Sequence, residues 1–225
     1  AERCDIFTDV EGVYSADPNI VDKAKKIEKI SYEEMLEMAS TGAKVLQTRS
    51  VELAMKNNLT LQVLSSLNNK PGTYIINEKK LIEKEIVSGV SYNKNESKIT
   101  ISGIPDKPGI SATIFGILAK NNINVDMIVQ NISQDGINAN ITFTVNSNEM
   151  EISKKLLEQN KENINFKNIS TNSDVAKISV IGMGMMSQTG VAEKMFKTLA
   201  DNKINILAIT TSEIKISVLI SKEYT

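Results

Sequence analysis

The chain has 225 residues, 41% of them hydrophobic and 24% charged, with a formal net charge of −1. That size and balance suit two or three small globular domains and offer no basic surface for nucleic acid or a membrane. Histidine is absent and Cys4 is the single cysteine, which excludes Ser-His-Asp and Cys-His catalysis, His-ligated zinc and an internal disulfide.

In chain order, residues 4–8 read as a short strand running into the loop TDVEGVYSADP. Ser31 with Glu34 three residues on is a capping box, so a helix begins there, runs to about Ser40 and is broken by Gly42. A second helix is expected over 48–57, a strand over 59–64 and a turn at Lys70-Pro71-Gly72-Thr73. The charged stretch EKKLIEK, residues 78–84, reads as a connector, and 85–91 as a strand available to complete a sheet elsewhere. Cys4 reads as a small buried residue, Glu33 and Glu34 as helix N-terminal acids, and Met183, Met185 and Met186 as a loop packing on apolar surface.

The rest is a duplication covering 98–145 and 176–221. Gly109 matches Gly190, Phe115 matches Phe196, Leu118 matches Leu199, Ile123 matches Ile204 and Asn124 matches Asn205, all at an offset of 81 residues. Each copy opens on an alternating strand (Ile99, Ile101; Ile178, Val180), followed by a Gly-containing loop. An amphipathic helix comes next, with the stripe Ile110, Ile114, Phe115, Leu118 in one copy and Val191, Met195, Phe196, Leu199 in the other. A strand begins at Asn-Ile-Asn, and a third strand is expected over 138–145 and 213–220, with Asp135-Gly136 as the hairpin turn of the first copy. A helix over 149–160 and a strand near 164–169 complete the first copy as βαββαβ, a ferredoxin-like antiparallel sheet with two helices on one face. The second copy has no room for its last helix and strand.

The loop before each repeat helix carries binding chemistry. In Asp106-Lys107-Pro108-Gly109 the turn leads onto a helix N-terminus, whose free N–H groups and dipole favour a carboxylate. Asp106 suits an ammonium group, and Gln130 on the next strand offers both donor and acceptor. Together they would hold a zwitterionic amino acid; an ordinary strand–helix turn accounts for the same residues. The loop Thr8-Asp9-Val10-Glu11-Gly12-Val13-Tyr14, with Lys44 after Gly42, could line a nucleotide, though no Walker A sequence is present.

The stretches TDVEGVYSADP, ISYEEMLEMASTGAKVLQTRSVELA and KPGTYI resemble the end of the kinase domain of aspartate kinases. DKPG, NINVDMIVQN and TTSEIKISVLIS resemble their paired ACT regulatory domains. The resemblance covers nearly the whole chain. It implies an α/β and α+β fold: the C-terminal part of a three-layer amino-acid kinase domain over 1–78, a connector and strand over 79–97, and ACT domains over 98–172 and 173–225, the second clipped. It implies phosphorylation of the L-aspartate β-carboxylate by MgATP, at the start of lysine, threonine and methionine biosynthesis, with lysine and threonine as feedback inhibitors. The positions matching the ATP site are Thr8, Asp9, Tyr14, Asn19, Lys44 and Val45. Those matching effector sites are Asp106, Gly109, Ser111, Gln130, Asn205 and Ile206, with Asn124, Val125, Ser187, Gly190 and Ser212 as a related second pocket.

Three departures from the family pattern stand out. Asn19 occupies the place of an arginine in ADPR, and an amide cannot supply that charge to phosphate. Gln47-Thr48 and Gln188-Thr189 stand where His-Pro is common. The family's Lys-Phe-Gly-Gly motif and its aspartate-binding residues do not occur in the chain, which starts at Ala1, ends after Glu223-Tyr224-Thr225 and reads as a fragment. The resemblance therefore implies part of a cytoplasmic aspartate kinase, inactive by itself. Its expected partners are a second copy through the ACT domains or a heterotetramer, and neither nucleic acid nor membrane. The alternative is a separate, non-catalytic regulatory subunit that binds lysine or threonine.

Overall fold

A computed structural model describes residues 1–81, 85–133 and 136–225. The expected turn residue Asp135 and part of the 78–84 connector lie outside the described residues. Two compact units are present, one made of Ala1–Asn93, Ile178–Asn202 and Thr211–Ser217, the other of Lys94–Lys177, Lys203–Thr210 and Val218–Thr225. Among the described residues, no helix is long and apolar enough to cross a membrane.

The first unit begins with β1 (Arg3–Thr8), β2 (Lys29–Ser31), α1 (Tyr32–Thr41), α2 (Thr48–Lys56), β3 (Thr60–Ser65) and β4 (Thr73–Ile76). Their sheet runs β1-β3-β4-β2, with β1 parallel to β3, β3 antiparallel to β4 and β4 parallel to β2. The capping box forms as the sequence predicts: Ser31 Oγ accepts from the Glu34 N–H at 3.1 Å, and Glu34 Oε2 accepts from the Ser31 N–H at 3.1 Å. Gly42 ends α1 with φ at 129°. The core gathers Met35 and Met38 of α1, Val51 of α2, and Ile30, Val63 and Ile75 of the sheet. Burying each of these side chains stabilises the unit by about 1.5–3 kcal/mol.

Two findings differ from expectation here. Cys4 is exposed, because β1 is the edge strand and its alternation leaves that face uncovered. The strands β2 and β4 are three and four residues long, too short to register as periodic runs.

The remaining elements are β5 (Gly89–Pro105), α3 (Ile110–Lys120), β6 (Val125–Ile132), β7 (Asn138–Asn146), α4 (Met150–Gln159), α5 (Lys161–Ile164), β8 (Asn168–Ile181), α6 (Val191–Asp201), β9 (Ala208–Thr211) and β10 (Lys215–Ser221). The second sheet has the order β6-β7-β5-β8-β10-β9. Within the second unit β7 is antiparallel to both β5 and β6. The core there packs Ile99, Ile101, Ile141 and Phe143 of the sheet against Ile114 and Leu118 of α3 and Leu157 of α4. Phe143 meets the Phe115 ring edge-on, with centroids 5.5 Å apart.

The expected strand over 85–91 starts at Gly89 instead, and it is continuous with the opening strand of the first repeat as the 17-residue β5. Likewise the strand expected near 164–169 and the opening strand of the second repeat are one strand, β8. Thr171-Asn172-Ser173-Asp174 contains no Gly or Pro to break the extended chain. The repeat helices α3 and α6 both follow a glycine at positive φ, 96° at Gly109 and 90° at Gly190. Both are followed by a residue in the left-handed region, Asn122 at 57° and Lys203 at 59°, again at the 81-residue offset.

Candidate functional site

The residues expected on the nucleotide side all lie in the first unit. Thr8 ends β1 at the carboxyl end of the parallel β1–β3 pair, where ligands of open α/β sheets collect. Its carbonyl accepts from the Ser66 N–H at 2.7 Å and the Ser66 hydroxyl at 2.9 Å, and its Oγ1 accepts from the Val10 N–H at 3.1 Å. Asp9 follows, exposed. Tyr14 forms an isolated antiparallel bridge with Lys26. Asn19 sits exposed in the loop beyond, its N–H donating to Asp17 Oδ1 at 2.9 Å. Lys44 and Val45 follow the α1 cap, Lys44 exposed and Val45 packed on the core.

Sequence reading missed what braces these loops. Glu11 accepts from Lys70 Nζ at 2.8 Å and from Asn68 Nδ2 at 3.1 Å. The Lys70 hydrogen bond holds the Glu11 carboxyl below its ordinary pKa, and Glu11 in turn holds Lys70 above its own. Thr73 Oγ1 accepts from the Val13 N–H at 2.8 Å and donates to the Ile27 carbonyl at 2.5 Å. A Cβ on Gly12, at φ 150°, would stand 2.5 Å from that oxygen. The signal was present in KPGT, which reads as a turn but gives no partner for its threonine.

Of the residues expected at effector sites, Asp106, Gly109, Ser111, Asn124, Val125, Gln130, Asn205 and Ile206 belong to the second unit. Asp106 is exposed and its N–H donates to the Ile137 carbonyl at 2.9 Å. Gly109 starts α3 with no side-chain cap, so the first amides of the helix are left for an anion. The structure brings Ser111 and Gln130 together, Ser111 Oγ donating to Gln130 Oε1 at 3.2 Å. Asn124 is exposed before β6, and Val125, half-buried, opens it. Asn205 is exposed and Ile206 half-buried ahead of β9.

Ser187, Gly190 and Ser212 belong to the first unit. Ser187 closes a 3-10 turn, Met183–Met186, that the sequence read as loop; its hydroxyl donates to the Gly184 carbonyl at 3.3 Å. Met183 of that turn is buried and Met186 exposed. Gly190 starts α6, also with no side-chain cap. The Ser212 N–H donates to the Lys215 carbonyl at 2.8 Å, closing the β9–β10 turn.

The buried charges Glu34, Glu96 and Lys177 lie outside every expected site residue. Glu34, 3% exposed, uses its second carboxyl oxygen to accept from the Ser88 hydroxyl at 2.5 Å and the Met183 N–H at 2.9 Å. Lys177, 2% exposed, pairs with Glu96 at 3.0 Å and also with Asp126. Burial alone would push the Lys177 ammonium down, but Glu96 and Asp126 outweigh it and hold its pKa above the ordinary lysine value. Asp126 Oδ1 also accepts from the Met127 N–H at 2.8 Å, where φ is 46° and the ladder shifts register.

Comparison with known proteins follows the same division. The amino acid kinase family matches residues 1–65, and the ACT domain matches twice, at 99–160 and 178–225. An aspartate kinase of Pseudomonas putida is 48% identical over 225 residues, all of this chain and 54% of its own length. The chain thus spans about half the length of the curated relatives it matches. E. coli aspartokinase III, solved with aspartate and ADP, is 27% identical with a TM-score of 0.85 over 99% of this chain and 49% of its own; its form with lysine and aspartate gives 0.79. The regulatory subunit of aspartate kinase from Thermus thermophilus is 36% identical with a TM-score of 0.58, over 62% of this chain and 91% of the subunit. The likeness extends over both halves of the chain, the nucleotide-side loops and the duplicated module alike.

Proposed function

The chain belongs to the aspartate kinase family, and from that premise we propose that the whole protein phosphorylates L-aspartate with MgATP under feedback control by lysine, threonine or both. One observation carries the reading: a kinase-type segment over 1–65 and two ACT modules follow one another in the order found in aspartate kinases. A β-carboxylate oxygen attacks the γ-phosphorus, the bond to the bridging oxygen breaks, and ADP leaves with 4-phospho-L-aspartate formed. Catalysis of that step is positioning plus stabilisation of charge. In this chain Lys44, exposed just after the α1 cap, would supply a cation to phosphate, and Thr8, Asp9 and Tyr14 would line the nucleoside. Asn19 would add no charge to the phosphate side, where the family pattern ADPR implies an arginine.

We assign 1–78 to the kinase domain, 98–172 and 173–225 to the ACT domains, and the protein to the cytoplasm. The bare helix starts at Gly109 and Gly190 support carboxylate capture, and Asp106 and Gln130 support recognition of the rest of an amino acid. Assembly would be a dimer through the ACT domains or a heterotetramer. A separate regulatory subunit is the second reading, favoured by the chain's coverage of nine-tenths of the Thermus subunit. Residues 1–65, which match the amino acid kinase family, argue for the first.

Two measurements test this. The purified 225-residue chain is expected to show no phosphorylation of aspartate in a coupled ADP-release assay, since the aspartate-binding motif is not in it; measurable turnover would overturn that assignment. Calorimetric titration of the same chain is expected to show binding of lysine or threonine at millimolar concentration or below. Gln130→Ala should weaken that binding about tenfold, the loss of one hydrogen bond to a charged group. Unchanged affinity would place the pocket elsewhere.

A further inference from the structure

Helix α1 is gripped along its whole length by segments distant in sequence, and every one of these contacts lies inside the first compact unit. At its start, Glu34 accepts four hydrogen bonds, from the Ser31 N–H at 3.1 Å, the Ser31 hydroxyl at 2.8 Å, the Ser88 hydroxyl at 2.5 Å and the Met183 N–H at 2.9 Å. A capping box needs the Ser31 amide alone. One carboxyl oxygen serves the cap, and the other is given wholly to Ser88 and Met183.

Further along, Glu37 meets Lys215 Nζ at 2.8 Å, and a Cβ on Gly89 would stand 2.8 Å from the Met38 methyl carbon. At the far end the Thr41 and Ser91 hydroxyls are hydrogen-bonded, and a Cβ on Gly42 would collide with the Tyr92 carbonyl. The turn that contains Met183 is itself seated without slack: a Cβ on Gly184 would lie 2.6 Å from the Glu85 carbonyl oxygen. That turn continues directly into Ser187 and Gly190, and α1 continues directly into Lys44 and Val45.

We propose that Glu34 is a positioning residue that couples the loop bearing Ser187 and Gly190 to Lys44 and Val45 through α1, and so carries the effector signal to the nucleotide side. The inference rests on the aspartate kinase reading of both sites. Its physical basis is the cost of taking a donor from a buried acceptor. If an amino acid at Gly190 draws the 183–186 turn away, Glu34, 3% exposed, keeps Ser88 but loses the Met183 amide where solvent has little access, so α1 is drawn after the turn. A packed helix transmits that displacement as a body, which a flexible loop would not.

The test uses full-length protein and reads thermodynamic coupling. Lysine and threonine are each titrated with and without saturating MgATP. In the unsubstituted protein the two dissociation constants should differ by about 5–150-fold. In Glu34→Gln, whose single carbonyl oxygen cannot serve both the Ser31 cap and the Ser88–Met183 pair, the ratio should fall towards one, with effector-free turnover within about twofold of the unsubstituted protein. Ser88→Ala, which leaves the capping box intact, should lower the ratio part of the way, and it decides the matter alone if Glu34→Gln does not fold. A ratio that stays at the unsubstituted value overturns the proposal, even if the melting temperature drops, because a merely structural role moves stability and not coupling. A ratio of one in the unsubstituted protein also overturns it, while leaving effector binding in place. Failure of both amino acids to bind refutes the effector reading itself and the coupling with it.

Discussion

Lys177→Ala is expected to lower the unfolding free energy by about 3–5 kcal/mol, the usual cost of removing one partner from a buried ion pair. The side chain is 3% exposed and the Glu96 side chain 7%, so truncation takes the buried cation away from a carboxylate that is itself buried. Asp126, 55% exposed, can turn to water and contributes less to the loss. Urea unfolding followed by circular dichroism measures the effect, and a double variant Lys177→Met with Glu96→Leu should recover most of it, because it removes both charges together. The pH dependence has a definite sign. The folded-state pKa of Lys177 is raised, so its contribution is complete below the unfolded lysine value of about 10.4 and is lost as pH rises through the folded value. The difference in urea midpoint between unsubstituted and Lys177→Met protein should therefore shrink as pH is raised above about 10. A difference that is constant across that range would mean that packing, and not charge, carries the residue's stabilisation.

What the sequence revealed was local chemistry. The Ser31–Glu34 capping box, the stop at Gly42 and the glycine loops that lead onto α3 and α6 each depend on residues a few positions apart, so the pattern contains its own cause. The family resemblance likewise followed from contiguous motifs. What stayed hidden was set by residues far apart. The second oxygen of Glu34 finds Met183 at a separation of 149 residues, and Lys177 finds Asp126 at 51. No periodicity marks such partners, since a lysine in KISV looks like any surface residue of an alternating strand. The run from 168 to 181 divided at the repeat boundary for a related reason: internal homology marks where a copy begins, while a strand ends only where hydrogen bonding or a breaker residue stops it. Exposure of Cys4 belongs here too, because an edge strand and a central strand share the same alternation.

The repeat itself furnishes the second large effect, a paired one. Leu118 and Leu199 are the same position of the two copies, 81 residues apart, and by sequence they should be worth the same. The structure makes them unequal. Leu118 is fully buried among Ile99, Ile101, Ile114 and Phe143, with α4 supplying Leu157 to the same core. Leu199 is half-buried, and α6 contains no fully buried residue at all, although its apolar stripe is as well formed as that of α3. The physical reason is the cover: α4 supplies Leu157, which closes over the core that Leu118 joins, while no residue of α6 is buried. Leu118→Ala should cost about 2–5 kcal/mol, transfer plus a cavity that a packed core cannot refill. Leu199→Ala should cost about 1 kcal/mol, in proportion to the apolar area it keeps from water. Urea midpoints of the two variants measure the gap. Equal losses would mean that something covers the Val191, Met195, Phe196 and Leu199 face of α6 in solution, and the repeat would then be symmetric in energy as well as in sequence.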